Sequence, residues 1–327
     1  MLSAFEPVFS LLIYVVKCTV VYRLGRFVYN ILRLIYVYWL APRLGIGFDF
    51  QRCKTKWTVI TGPTDGIGKA YLYQLALKGL RRFLLISRDS RKLQATAEWL
   101  SSSFPDCEIK TQAFTFGRDD YSILRKVIEP LDVGILVNNA GHGPETIHPF
   151  SEDPHTDRIV YHVNTGSVFE LMQIVLPKLK EAKCGAIVNV SSVQSIRPIT
   201  LIASYSASKI YVSYLTQCAH REHLNDGITI QCLIPILVST KMLAYDPEDT
   251  PLFDRLLLVN VDKYAANAIN TLGVTHYTTG SWWQEFQLAL VYLFPWWLLR
   301  ISAEPYYRAH QRRLLRAFKK RNPKGVQ

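Results

Sequence analysis

A clean apolar run of the ~20 residues needed to span a bilayer is absent from this chain of 327 residues. Paired cysteines are absent too. Cys18, Cys53, Cys107, Cys184, Cys218 and Cys232 form no CxxC and no regular spacing, which argues against a zinc ribbon or a disulfide framework. Free thiols and a body facing the cytosol are expected. The eight histidines include no HExxH, and His220 with His223 lacks a third ligand, so no metal site is expected. Repeats and low-complexity stretches are missing. Glu6 precedes the first apolar stretch, with no basic n-region and no small-residue cleavage site, so a removable signal peptide is not expected.

The net charge of +12 raises the question of a nucleic-acid partner. Its distribution answers against one. Residues 1–56 carry eight basic and two acidic side chains, and residues 308–327 carry eight basic and none acidic. The middle then holds 22 basic against 24 acidic residues, the balance of an ordinary enzyme body. No zinc-finger, helix-turn-helix or RNA-recognition signature accompanies the basic ends. They suit anionic lipid head groups instead, although the 308–324 run reads equally as a solvated tail.

Two N-terminal apolar stretches, 7–22 interrupted by Lys17 and 27–41 interrupted by Arg33, come closest to a membrane segment. Lysine and arginine can snorkel, and Tyr14, Tyr22, Tyr29, Tyr36, Tyr38 and Trp39 suit a lipid interface. Residues 1–45 are expected to form a retained membrane anchor, as one tilted span or a short hairpin; an extra helix packed on the core is the plainer reading. At the other end, residues 286–327 form an apolar segment and a basic tail. Pro295 breaks any continuous helix over 286–301, leaving a wedge in the lipid surface or a cap over a substrate tunnel. A chain 49% apolar can bury one full core between these ends. Alternating strand and helix signals over 53–285 indicate an α/β fold of the Rossmann type, a doubly wound parallel sheet in one domain.

Residues 57–61 read as a buried strand running into Gly62-Pro-Thr64-Asp65-Gly66-Ile67-Gly68, with an apolar helix pattern after it. Strand, glycine turn and helix open a dinucleotide-binding unit. Gly62 permits the tight turn, while Gly66 and Gly68 let backbone approach a pyrophosphate at the helix N-terminus. The second strand ends at Ser87-Arg88 with no acidic residue there. A guanidinium suits a 2′-phosphate, so NADPH is favoured over NADH. The same pair disfavours an NAD-dependent alcohol oxidation.

Tyr205-Ser-Ala-Ser-Lys209 places a phenol and an amine on one helical face, with Ser191 and Ser192 upstream. An ammonium beside a phenol stabilises phenolate, which makes Tyr205 a proton donor or acceptor near neutral pH. Touching by chance on a surface helix is the bland reading.

The set Thr61-Gly62-x3-Gly66-Ile67-Gly68, Asn138-Asn139-Ala140-Gly141, Asn164, Ser192 and Tyr205-x3-Lys209 resembles a short-chain dehydrogenase/reductase. The run 64–69, Ile86-Ser87-Arg88, the run 134–139 and Leu176-Pro177 resemble its very-long-chain 3-oxoacyl-CoA reductase and 17-beta-hydroxysteroid dehydrogenase group, over about residues 53–320. The resemblance implies that Tyr205 is the general acid in reduction and that Lys209 depresses its pKa and holds the nicotinamide ribose. Ser192, thirteen residues before Tyr205, would orient the substrate carbonyl. Asn164 would bridge Lys209 to a relay water, Asn139 and Gly141 would border the adenosine ribose, and Thr240 would hold the carboxamide. Thr64, Asp65, Gly66, Ile67, Gly68, Ser87 and Arg88 complete the expected cofactor set. Thr115 stands where the family usually has the Asp that meets adenine, and Pro235-Ile236 replaces the usual Pro-Gly.

Reduction of a ketone on a lipophilic substrate, a 3-oxoacyl thioester or a 17-ketosteroid, is therefore expected, with segment 242–260 as the lid. The group includes members held to be inactive through loss of the tyrosine, which makes a lipid- or nucleotide-binding scaffold the rival reading. The membrane would be the endoplasmic reticulum, or alternatively the mitochondrion, and a homo-oligomer is allowed for.

Overall fold

The computed structural model describes residues 6–143, 148–240, 252–295 and, beyond them, 297, 298, 301, 304, 305, 308, 309 and 312. In chain order the helices begin with α1 (Glu6–Ile35), which continues through a π-helical turn (Tyr36–Leu40) into α2 (Ala41–Arg43). The strand β1 (Trp57–Thr61) follows, then α3 (Gly66–Leu77), β2 (Arg82–Ser87), α4 (Ser90–Ser103), β3 (Glu108–Ala113), α5 (Ser122–Ile128) and β4 (Val133–Asn138). Next come α6 (Pro154–Tyr161), a second π-helical turn (His162–Gly166), α7 (Ser167–Ala182), β5 (Ala186–Val190) and α8 (Ala203–Glu222). The described chain closes with β6 (Thr229–Leu233), α9 (Leu252–Leu257), α10 (Val261–Asn270), β7 (Tyr277–Thr278) and α11 (Trp282–Val291).

The seven strands form one parallel sheet in the order β3-β2-β1-β4-β5-β6-β7. This is the doubly wound arrangement expected from the alternation of strands and helices. Side chains alternate across each strand. Ile60, Phe83, Leu85, Ile135 and Val137 pack into one core with α3 and α10. Val59, Leu84, Ile86 and Leu136 pack into a second with α5, α7 and α8. Both faces being covered, the central strands are buried throughout and read as mostly apolar runs, with Thr58 in β1 and Asn189 in β5 as interruptions. The strand order reverses between β1 and β4, so the carboxyl ends of those two strands frame the crevice where such sheets bind ligands.

The N-terminal segment is one helix, not a hairpin. Residues Pro7–Arg43 form a single helical length with the composition of a membrane span. It divides into two parts. Over residues 7–22 most side chains are exposed, among them Val8, Phe9, Leu12, Tyr14, Val16, Val21 and Tyr22. The second part docks on the body, with Leu34, Val37 and Ala41 buried at a spacing of three and four. Arg33 does not snorkel to a lipid interface. It forms an ion pair with Glu285 at 3.3 Å and donates to Thr275 Oγ1 and to Tyr277 O. Tyr38 shares a hydrogen bond with Thr278 Oγ1, and Trp39 packs on Trp282 at 5.8 Å between ring centroids. The expected boundary between 285 and 286 falls inside α11, which belongs to the body.

The six cysteines are free. Asn189, formally a glycosylation site, is buried and donates to Thr216 Oγ1, so its amide has no access to solvent. His220 stacks on His276, His223 pairs with Asp226, and no cluster of metal ligands occurs among the described residues. Of the expected lid, residues 241–251 lie outside the described residues, as does most of the basic tail.

Arg33 links α1 to the body through a pair in which its own side chain is 30% exposed and that of Glu285 10%. Replacing Arg33 with Met should lower the unfolding free energy by about 2 kcal/mol, between the values for surface and buried pairs. Denaturant unfolding of full-length protein in detergent measures this. A change of less than about 0.5 kcal/mol, the usual effect of a surface substitution, would mean that α1 is only tethered.

Candidate active site

β1 ends at Thr61 and turns at Gly62, whose φ of +62° lies in the left-handed region open to glycine. Gly66, at φ +53°, starts α3. Asp65 caps that helix by accepting from Gly66 N at 2.8 Å. The first-turn N–H groups of Ile67 and Gly68 have no intrahelical acceptor and face the end of the sheet with the positive pole of the helix. Gly68 has a different reason for being glycine than approach to a pyrophosphate. A Cβ there would collide with Gly62 O and Asn139 Nδ2. The missing side chain lets α3 close on its own turn. Thr64 is half-buried in the same turn.

The turn is stitched to the end of β4. Thr61 Oγ1 accepts from the backbone N–H groups of Asn139 and Ala140 at 2.9 and 2.8 Å. Asn139 Nδ2 donates to Thr61 O and Gly62 O at 3.1 and 3.0 Å. Asn139 thus spends its amide on holding the two loops together. Thr240 reaches the same place from the far side, its methyl 3.1 Å from where a Gly66 Cβ would stand.

At the end of β2, Ser87 O accepts from Phe114 N, and Arg88 is exposed with no hydrogen bond or ion pair to any described residue. Asp89 could compete with a 2′-phosphate, but its carboxylate caps α4. Bonds from Lys92 N and Arg91 N hold its pKa below the usual carboxylate value. The place of Thr115 has a similar local answer: its N–H donates to Asp119 Oδ2 at 2.6 Å, so the nearby carboxylate is engaged by backbone.

Ser192, Tyr205, Lys209 and Asn164 converge where β5, α8 and the π-helical turn meet. The Ser192 hydroxyl lies beside the Tyr205 side chain, close enough to lower its pKa, and accepts from Gln194 N at 3.3 Å. Ser191 points elsewhere, donating to Lys209 O at 2.6 Å. Lys209 is only 5% exposed, and its Nζ donates to Val190 O at 3.0 Å. That nitrogen lies 5.7 Å from the centroid of the Tyr205 ring. Gly141 lies over it: a Cβ there would stand 3.4 Å from Lys209 Nζ and 3.5 Å from Asn164 Oδ1. Asn164 Oδ1 accepts from His142 N at 2.7 Å, while Nδ2 donates to His142 O and to Ser208 Oγ. Ser208 Oγ in turn donates to Tyr205 O at 2.7 Å. The π-helical turn supplies the extra residue that aims Asn164 inward, where such bulges commonly sit.

The electrostatics differ from the expectation. Burial pushes the Tyr205 phenol up to about 12, and the neighbouring Ser192 only moderates the rise. Burial also brings Lys209 down to about 8. Desolvation dominates both shifts, and the amine is held by the Val190 carbonyl rather than by the phenol. Ser208 and His142 were not among the expected site residues, and Thr61 stood in the glycine motif without a role of its own. Ser208 was visible inside Tyr205-x-x-Ser-Lys, one turn from Tyr205; His142 carried no signal, because it acts through its backbone.

These residues fit a dinucleotide. The helix pole and glycine turn suit a pyrophosphate, Arg88 suits a further phosphate, and the cradle under Gly141 leaves room beside Lys209. A family model, short chain dehydrogenase, matches residues 56–251. The chain belongs to that family. Among curated relatives, it is 36% identical over 274 residues to the human protein named inactive hydroxysteroid dehydrogenase-like protein 1, covering 83% of this chain and 80% of that one. It is 32% identical over 302 residues to the Mus musculus very-long-chain 3-oxoacyl-CoA reductase, covering 89% and 91%. A solved short-chain dehydrogenase from Sphingobium yanoikuyae, in complex with NADPH, superposes with a TM-score of 0.61 at 26% identity, covering 68% of this chain and 86% of that one.

In this short-chain dehydrogenase, Gly68→Ala should abolish NADPH binding in a fluorescence titration, since backbone and Asn139 leave no space for the methyl. Gly25→Ala, with nothing within 4 Å, is the control and should be neutral or slightly stabilising. Equal cofactor binding by Gly68→Ala and the wild type would show that the turn is looser than described.

Proposed function

We propose that this chain reduces a ketone on a lipophilic substrate to a secondary alcohol, using NADPH, at a membrane surface. The observation that carries the reading is buried Lys209 with its Nζ 5.7 Å from the Tyr205 ring centroid, and Ser192 beside the phenol, at the carboxyl end of the sheet. Gly62, Thr64, Asp65, Gly66, Ile67 and Gly68 would hold the pyrophosphate side, Ser87 and Arg88 the 2′-phosphate. Asn139 and Gly141 would border the ribose, with Thr240 at the carboxamide. Bound NADPH supplies the hydride. Ser192 orients the substrate oxygen by hydrogen bonding, and Tyr205 donates the proton that makes it a hydroxyl. A phenol raised to about 12 is a firm proton holder, suited to delivering its proton only as negative charge develops on the oxygen. Lys209, while charged, stabilises the phenolate left behind. Asn164, clamped to His142 and Ser208, fixes the loop over Lys209.

Substrate classes follow from the relatives' names, one a 3-oxoacyl-CoA reductase and the other hydroxysteroid dehydrogenase-like. The membrane supports the lipophilic choice. The undocked part of α1, residues 7–22, is roughly 24 Å long at ~1.5 Å per residue, short of a ~30 Å hydrocarbon core. Val28, Tyr29, Leu32, Ile35, Tyr36 and Leu40 on the docked part are also exposed. An apolar surface of this extent needs a lipid or protein cover. Lipid contact along both parts draws the body against the bilayer, where an apolar ketone partitions. An endoplasmic-reticulum membrane with the body in the cytosol fits the free thiols.

A scaffold without activity is the second reading, favoured by the relatives named inactive and by Thr115. The presence of Tyr205, Ser192, Lys209 and Asn164 speaks for activity. Detergent-purified protein should oxidise NADPH when given a long-chain 3-oxoacyl thioester or a 17-ketosteroid. Tyr205→Phe should lose that activity by at least about 100-fold while still binding NADPH. Undiminished turnover in Tyr205→Phe removes the assigned acid, and no NADPH binding at about 1 mM, the upper end of usual cofactor KM values, favours the scaffold.

pH offers a separate check. Lys209 is charged below about 8 and neutral above it, while Tyr205 keeps its proton to about 12. The rate of reduction should therefore fall as pH rises through about 8, with no loss from the phenol in that range. A flat profile from pH ~7 to ~10 would show that the charge on Lys209 is not needed.

A further inference from the structure

The segment that brings Thr240 to the glycine turn is held by a side chain from a distant part of the sequence. Residues 236–240 run from the end of β6 to Gly66. On one side they are fixed by Val259: Val238 forms a parallel bridge to it, Ser239 N donates to Val259 O, and Val259 N donates to Leu237 O. On the other side stands Gln284 of α11, fully buried. Its Oε1 accepts from Ile236 N at 3.1 Å and its Nε2 donates to Leu237 O at 3.0 Å. One amide thereby satisfies both an N–H and a C=O of adjacent residues, as a neighbouring strand would.

α11 is itself fixed from outside. Glu285, the next residue, receives Arg33 of α1, Thr278 Oγ1 at 2.6 Å and Thr279 N at 2.8 Å. Arg23 of α1 donates to the carbonyls of Tyr292 and Leu293 just past the end of α11. Trp283 Nε1 donates to Leu256 O, and Gln287 Nε2 to Leu257 O, at the end of α9. Gln284 is therefore mounted on a helix braced between the membrane helix and the body. Shifting its amide by one hydrogen-bond length would shift Ile236, Leu237 and the chain leading to Thr240.

We propose that Gln284 is a positioning residue for the nicotinamide end of the cofactor site, setting segment 236–240, and with it Thr240, against Gly66. The proposal deepens the function given above and rests on Thr240 lying at the carboxamide.

Full-length protein in detergent tests it. Gln284→Met keeps side-chain length and loses both bonds. Its affinity for NADPH, read by cofactor fluorescence, is expected to fall about tenfold, the equivalent of ~1.4 kcal/mol. Turnover at saturating NADPH should stay within about threefold of the wild type, because Tyr205 and Ser192 are carried by other elements. Gln284→Glu adds a pH signature. A neutral carboxylic acid can accept from Ile236 N and donate to Leu237 O, whereas a carboxylate cannot donate. Burial beside Glu285 keeps the acid neutral to higher pH, so this variant should match the wild type near pH ~6 and bind about tenfold more weakly near pH ~9, compared at each pH.

Gln284→Met that unfolds cooperatively and binds NADPH within about twofold of the wild type overturns the proposal. If that variant does not fold, a pH-independent affinity ratio between Gln284→Glu and the wild type overturns it. Failure of the wild type itself to bind NADPH removes the cleft assignment, and this proposal with it, so the two failures are distinct.

Discussion

The placement of one amine, that of Lys209, organises the cleft. It is buried at the end of β5 with the Val190 carbonyl as its acceptor, and the surrounding groups are arranged by that choice. Ser191 ties the Lys209 backbone to the serine loop. Gly141 lies in contact above the amine, and Asn164 grips the loop that follows. A buried cation is expensive, and the structure meets the cost partly by lowering its affinity for the proton to a pKa of about 8. At neutral pH most of the amine still carries its charge, and it can stabilise a developing phenolate.

Polar stitching keeps that placement rigid. Thr61 and Asn139 join the first loop to the fourth strand, and Asn164 and Ser208 join the π-helical turn to α8. Each link is short, buried or half-buried, and made between elements far apart in sequence. The apolar cores on the two faces of the sheet hold the strands, while these hydrogen bonds set the loops. Function sits in the loops, so the polar set determines the site more directly than the cores do.

Local features were legible from the residues. Gly62 announced the tight turn, and the strand and helix patterns of β1 and α3 around the glycines marked the opening unit. Tyr205 and Lys209, four apart, fell on one helical face. Features that depend on distant partners were not legible. Arg33 interrupts an apolar stretch and read as a snorkelling residue, because Glu285 lies 252 positions away. The helix therefore docks on α11 over its second half instead of folding back on itself. Gln284 gave no sign of its contacts with Ile236 and Leu237, and the π-helical turn at Asn164 is invisible to a 3.6-residue pattern. The sign of the Tyr205 shift was misread for a related reason: spacing shows which groups are neighbours but not how deeply they are buried, and burial decides here.

In the proposed reaction a carbonyl carbon receives hydride inside this cleft while Tyr205 supplies the proton. NADPH carrying deuterium at the transferable C4 position, incubated with detergent-purified protein and a long-chain 3-oxoacyl thioester or a 17-ketosteroid, tests that claim directly by mass spectrometry. The account predicts a secondary alcohol bearing one deuterium on the carbinol carbon. Oxidised cofactor without labelled alcohol, or no turnover of either probe by protein that binds NADPH, would contradict it.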